Sequence, residues 1–190
     1  MTERIIGFLS SHLEYDDEDI EFARYGLHSI IRTFGGIFAA LAVALVMSIL
    51  PYALLYLGIF IAIRIYAGGY HASTAKGCTV STSVMIAVAY AYIKYCDISI
   101  QINAAAYVLS AIIILIASPV ASEKKPISAR EMLVYKKKTY LLIVIVTTGF
   151  VVAVLCNKAA ICRSIVASLC EVMALLIYGI THNRRDLKEI

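Results

Sequence analysis

The sequence predicts an all-α, polytopic integral membrane protein of about six transmembrane helices, with an amphipathic interfacial helix at its N-terminus. Three observations lead there. Hydrophobic residues make up 61% of the 190-residue chain and charged residues 16%, with mean hydropathy +0.83. A soluble domain carries about 45–50% apolar and about 25% charged residues, so the excess exceeds what a core can absorb and calls for lipid as solvent. The apolar residues gather into runs comparable with the ~20 helical residues that cross a hydrocarbon layer. The basic residues, finally, are unevenly shared between the loops that join those runs. The length suits a single domain. There is no Trp but there are 13 Tyr, several beside apolar runs, where an amphipathic ring suits the membrane interface.

Residues 1–33 read as a non-spanning segment. Ile5, Ile6, Phe8, Leu9 and Leu13 form one face of a short helix, and an acidic run follows from Glu14 to Glu21. Phe22, Tyr25, Leu27, Ile30 and Ile31 then recur at helical spacing with Arg24, His28 and Arg32 between them, the pattern of a helix lying in the interface. The acidic run is a solvated face or turn, or a docking site for a basic segment of a substrate. No basic n-region with a cleavage site marks a secretory signal.

Residues 34–66 form an apolar stretch interrupted at Pro51. It is long for one span and short for two. Pro51 either turns the chain between two short helices, giving six spans, or kinks one long helix, giving five; the two-helix reading is preferred. Further spans are expected over 78–93, over 102–118, where Ser118-Pro119 stops the run, and over 139–155 and 164–179. Between them lie a polar loop at 64–78 and a basic loop at 121–138. No internal repeat or low-complexity segment is evident.

With six spans, Lys94, Lys158 and Arg163 fall on one side and the other 14 of the 17 Lys and Arg residues on the opposite side. The positive-inside rule makes the second side cytoplasmic. The 64–78 and 121–138 loops are two spans apart, so they share a face whatever Pro51 does; only the side of the N-terminus depends on it.

The five cysteines show no CxxC and no zinc-like spacing. Cys156, Cys162 and Cys170 are expected to be small buried hydrophobes. Cys96 is a second thiol, on the opposite face and without a nearby His. Cys78 differs. It follows Gly77 and opens an apolar run, so it is expected in the first turn of a helix, where free N–H groups and the macrodipole stabilise an anion. Those N–H groups also offer an oxyanion hole, and a thiolate is the nucleophilic form. His71 lies seven residues earlier. On one continuous helix the two would sit about 10.5 Å apart along the axis, beyond the ~3 Å reach of a hydrogen bond, so the chain must fold back between them. Gly68 and Gly69 permit a turn or the close approach of a substrate; Ser73, Thr74 and Gly77 favour a break. Taken alone, this stretch is as well explained by a polar loop with a structural His, a small buried Cys and Arg64 as an interfacial anchor.

The stretch as a whole, Arg64, Gly68-Gly69, Tyr70-His71-Ala72, Ser73-Thr74 and Cys78, resembles the signature of the accessory gene regulator B family. The likeness extends over the whole chain: its size, its hydropathy, its amphipathic N-terminal segment, and the basic loop with Lys125-Pro126 and Lys136 to Lys138. These are membrane-embedded cysteine endopeptidases of bacterial quorum sensing. The resemblance implies cleavage, on the cytoplasmic side, of the acidic tail of a small peptide precursor of the accessory gene regulator D type. His71 would be the general base and Cys78 the nucleophile that holds the peptide as an acyl-thioester, from which an internal Cys or Ser closes a thiolactone or lactone. Arg64, Gly68, Gly69, Ser73 and Thr74 would position the loop, and Lys136, Lys137 and Lys138 would hold the acidic tail. The family also allows a homodimer. No cofactor, metal or nucleic acid is called for; the bilayer itself is a partner. No third catalytic member is evident, although Glu123 and Glu131 lie on the same face.

A non-enzymatic transporter or channel subunit is the competing reading. It would show ionisable residues within several spans, and Glu171 is the main candidate. A membrane phosphotransferase would need clustered carboxylates, which no span offers.

Overall fold

The computed structural model describes residues 17–68, 75–120 and 128–186. Among them it contains six α-helices: α1 (Asp17–Val46), α2 (Leu50–Ala67), α3 (Ala75–Tyr95), α4 (Ile100–Ala117), α5 (Ala129–Leu155) and α6 (Ala159–Asp186). The chain divides into two compact units, residues 1–43 and 44–190. The first contains most of α1. The end of the acidic run, from Asp17 to Glu21, and the amphipathic pattern from Phe22 to Arg32 lie within α1, and the segment 1–16 lies outside the described residues.

The second unit shows what Pro51 does. α1 ends at Val46, and Ser48 takes a left-handed conformation at φ 58°. The amides of Ser48 and Ile49 bond back to the carbonyls of Leu45 and Ala44 at 3.0 and 2.9 Å, which satisfies the last carbonyls of the helix. Pro51 then lies in the first turn of α2, where its missing N–H costs nothing. The apolar stretch is thus two helices. The turn between α5 and α6 is built the same way around Asn157 at φ 53°, with the Lys158 amide bonded to Ala153 at 2.9 Å.

Helix α6 is the centre of this unit and packs against α2, α3, α4 and α5. Half of its apolar stretch is buried, against 28% for each of α2, α4 and α5. Small residues allow that position. Ser164 and Ser168 are fully buried and return their hydroxyls to their own helix, to Ala160 and Ser164, each at 2.8 Å; Ser168 also reaches the Tyr56 carbonyl at 3.0 Å. Around α6 the core joins Ile63 and Ala67, Tyr107 and Ile114, Ile143 and Phe150, and Leu169, Val172 and Leu176. Tyr107 stacks on Phe150 at 4.3 Å.

The outer surface is as apolar as the core. Val80, Val84 and Val88 on α3, and Leu141, Val144 and Ile145 on α5, are exposed. In water such a surface would drive association; against lipid tails it costs nothing. Four helices are long and apolar enough to cross a membrane: α2, α4, α5 from Arg130, and α6 as far as Thr181. The apolar part of α1, Thr33–Val46, is shorter. In α3 the hydroxyls of Thr79, Ser81, Thr82 and Ser83, with Lys94, dilute the hydropathy. The expected six spans therefore reduce to four that meet both criteria among the described residues.

The ends of the helices sort into two groups. At one end Lys94 donates to the Met47 carbonyl at 2.8 Å, and Arg163 to the Cys96 carbonyl at 2.8 Å. At the other, the exit of α2 meets the exit of α4 and the start of α5. There Gly68 pairs with Val120, and Tyr66 meets Tyr135 edge-on at 5.9 Å.

Candidate functional site

The site forms at that second end. Arg64 lies in the last turn of α2, where a cation faces unpaired carbonyls. Its Nη1 donates to the Gly68 carbonyl, and the Gly68 amide bonds back to the Arg64 carbonyl at 3.2 Å. Gly68 has φ 72° and ψ −144°, a region closed to residues with a side chain. It also runs parallel to Val120, whose amide donates to the Ala67 carbonyl at 3.0 Å. A Cβ on Gly68 would collide with the Val120 carbonyl oxygen. The close approach read from the glycines is therefore made here by the chain's own backbone.

Cys78 is the fourth residue of α3 and so in its first turn, with a free, partly buried thiol. Arg64 and Cys78 stand on two separate helices, because α2 ends at Ala67 and α3 begins at Ala75. No continuous helix therefore runs from Arg64 through Cys78; the fold-back the spacing requires between His71 and Cys78 falls on a segment whose residues up to 74 lie outside the described ones. His71, Gly69, Ser73 and Thr74 lie outside the described residues.

The basic segment contributes from a helix. A capping box starts α5: the Ser128 hydroxyl accepts from the Glu131 amide at 3.3 Å, and the Glu131 carboxylate accepts from the Ser128 amide at 2.9 Å. Residues 129–138 are thus helical, and Lys136, Lys137 and Lys138 stand on the second and third turns of α5. Glu131, considered for orienting His71, serves this cap. Lys138 Nζ sits 4.8 Å over the Tyr66 ring, two residues from Arg64, and Lys136, Lys137 and Lys138 are all exposed. Arg64, Gly68, Cys78 and Lys138 therefore share one end of the bundle.

Three residues here were not singled out from the sequence: Tyr66, Val120 and Tyr135. Tyr135 and Lys138 are three apart and share a helix face, a signal that appears once 129–138 is known to be helical. Nothing local marks Val120, because its part is played by backbone atoms.

The other thiols lie elsewhere. Cys162 is buried as expected, whereas Cys170 is only partly buried and shares a hydrogen bond with the Ser110 hydroxyl at 3.4 Å. Cys156 departs from the expected burial: it caps the C-terminus of α5 and is exposed. Cys96 follows α3 at the far end, beside Arg163. Glu171 accepts a hydrogen bond from the Tyr56 hydroxyl within the bundle.

Residues 2–178 match the family model described as accessory gene regulator B. The chain belongs to that family. Among curated relatives, an AgrB-like protein 2 of Clostridium perfringens strain 13 is 28% identical over 131 residues, 65% of this chain and 61% of that one. The accessory gene regulator protein B of Staphylococcus intermedius is 33% identical over 116 residues, 60% of this chain and 61% of that one. The chain thus spans about three fifths of the length of the curated relatives it matches. No solved structure matches it.

Proposed function

We propose that this protein is a membrane-embedded cysteine endopeptidase that removes the C-terminal tail from a small quorum-sensing propeptide of the accessory gene regulator D type. The observation that carries the reading is the free thiol of Cys78 in the first turn of α3, a helix that starts anew after α2 closes at Gly68. A thiol there has a helix N-terminus to stabilise negative charge as it forms, whether on sulfur or on the oxygen of a tetrahedral intermediate.

His71 takes the thiol proton, and Cys78 sulfur attacks the scissile carbonyl carbon. The C–N bond breaks, the amine of the tail leaves with the proton from His71, and the peptide stays as a thioester on Cys78. An internal thiol or hydroxyl of the propeptide then attacks that thioester, giving its proton to His71 and returning the proton to Cys78 sulfur. The product is a thiolactone or lactone. Because the thioester keeps the acyl group activated, ring closure does not start from a free carboxylate, and an interfacial site restricts competing hydrolysis. Lys138, held over Tyr66, and the exposed Lys136 and Lys137 supply positive charge for an acidic tail. The basic end faces the cytoplasm, as the distribution of Lys and Arg requires. α3 and the apolar part of α1 complete six spans, the N-terminal segment lies in the interface, and a second copy of the chain forms a homodimer.

Co-expression with the cognate propeptide tests this. Cys78→Ala and His71→Ala should each abolish cleavage with membrane insertion intact. Cleavage by Cys78→Ala, or full wild-type activity of Cys78→Ser, would remove the cysteine-peptidase reading.

A further inference from the structure

Glu171 has no part in the chemistry just described, and it stands where a carboxylate is hardest to keep. It is one residue past the centre of the crossing stretch of α6, Ala159–Thr181. The apolar parts of the six helices, residues 33–46, 50–63, 78–93, 100–117, 139–155 and 164–181, hold no other Asp, Glu, Lys or Arg. Its partner among the described residues is the Tyr56 hydroxyl of α2. A charge within a membrane is costly unless it is matched, and a hydroxyl supplies a hydrogen bond but no charge. The surroundings are hydroxyl-bearing rather than basic. Tyr56 is fully buried, and the ring of Tyr90 on α3 meets it edge-on at 5.9 Å. Tyr90 is 1% exposed and its hydroxyl has no hydrogen-bond partner among the described residues, so a polar group sealed in the same cluster is left to be satisfied. The other titratable groups on the helices around α6 are engaged elsewhere: Tyr107 of α4 bonds Thr147 of α5 at 2.6 Å, and Cys170, next to Glu171, meets Ser110. Glu171 itself is half-buried, which leaves it open to a small ion.

We infer that Glu171 and Tyr56 form a binding site for a single positive charge, a proton or an alkali cation, between α2 and α6. Either occupant neutralises the carboxylate where no side chain of these helices does. A proton on one carboxyl oxygen leaves the other free to accept from Tyr56. An alkali cation takes hard oxygen ligands, which the carboxylate and the phenol oxygen supply. A magnesium ion carries twice the charge and demands a near-octahedral shell, which one carboxylate does not match.

The test reads the carboxyl itself, on the full chain in detergent micelles, and is independent of any peptidase activity. The infrared difference between wild type and Glu171→Gln at neutral pH isolates this one group, because a protonated carboxyl and a carboxylate absorb in separate bands. Unfolding midpoints are measured beside it in sodium, potassium and choline chloride at equal ionic strength. A protonated-carboxyl band that Glu171→Gln removes, with equal midpoints in the three salts, identifies the occupant as a proton. Carboxylate bands that Glu171→Gln removes, with a wild-type midpoint raised by about 4 °C or more in sodium or potassium over choline, identify an alkali cation; that is the scale of a ligand present at about ten times its Kd. In that case the Glu171→Gln midpoint should be the same in all three salts. Tyr56→Phe should shift the carbonyl band in the first case, since its frequency responds to the hydrogen bond, and reduce the salt response in the second. It also covers the case in which Glu171→Gln fails to insert. Carboxylate bands together with equal midpoints in the three salts would overturn the inference. So would a Tyr56→Phe protein identical to wild type in both the spectrum and the salt response.

Discussion

Removing the Tyr56 hydroxyl isolates one buried polar contact between α2 and α6. Tyr56 is fully buried, with its ring stacked on Phe60 at 6.1 Å and edge-on to Tyr90 at 5.9 Å. Phe keeps both ring contacts, and the Ser168 hydroxyl bonds the Tyr56 backbone carbonyl, which the substitution leaves in place. What is lost is the hydrogen bond to Glu171. In a water-soluble protein a buried group left without its partner costs about 1–3 kcal/mol. In a membrane bundle the average is about 0.6 and the maximum about 1.7 kcal/mol, since the unfolded chain in lipid also finds partners. Glu171 is half-buried rather than sealed, so the lower range applies, and Tyr56→Phe should cost about 1 kcal/mol. The assay is equilibrium unfolding in mixed detergent and SDS micelles, run as a double-mutant cycle with Glu171→Leu. In the Glu171→Leu background Tyr56→Phe should cost nothing measurable. An equal cost in both backgrounds would show that the hydroxyl does not work through Glu171. A loss above about 3 kcal/mol would show that the ring itself had moved, because no single hydrogen bond of this kind is worth as much.

Three further outcomes follow from the same geometry. Lys138→Glu should slow processing of an acidic-tailed propeptide more than Lys136→Glu, because Lys138 is held over the Tyr66 ring; unchanged processing after reversal of all three charges would end the docking role. Leu169→Ala, at a fully buried position on α6, should destabilise the bundle by about 2 kcal/mol through the cavity left behind. Leu141→Ala, on the outer face of α5, should cost close to nothing in detergent unfolding, and equal losses would contradict the assigned lipid-facing surface. A membrane-impermeant maleimide applied to intact cells should label Cys96 and Cys156 but reach Cys78 only after permeabilisation, and the opposite pattern would invert the orientation.

The helical and membrane character of the chain was legible in its sequence because composition and run length respond to solvent residue by residue. The importance of the 64–78 stretch was legible for a similar reason: glycines, a His and a Cys amid apolar runs are a local pattern, and the break between α2 and α3 follows from it. The extent of the basic loop was not. Charge alone reads as solvated coil, whereas the Ser128–Glu131 cap begins a helix there and turns Lys138 towards Tyr66. Pro51 was ambiguous because one proline fits both a kink and a first turn; the left-handed Ser48 decided for the turn.

What the sequence by itself determined is therefore the class of the molecule, the chemistry-bearing stretch, and the requirement that a helix be interrupted within it. What only the tertiary structure decided is which distant atoms complete that stretch. Val120 reaches Gly68 through its amide and carbonyl, groups that every non-proline residue carries and that leave no mark in a sequence. Tyr135 and Lys138 meet Tyr66 only because α5 and α2 pack side by side. Backbone pairing and helix packing depend on where segments far apart in the chain come to rest, and that is fixed by the whole bundle around α6 rather than by any local run of residues.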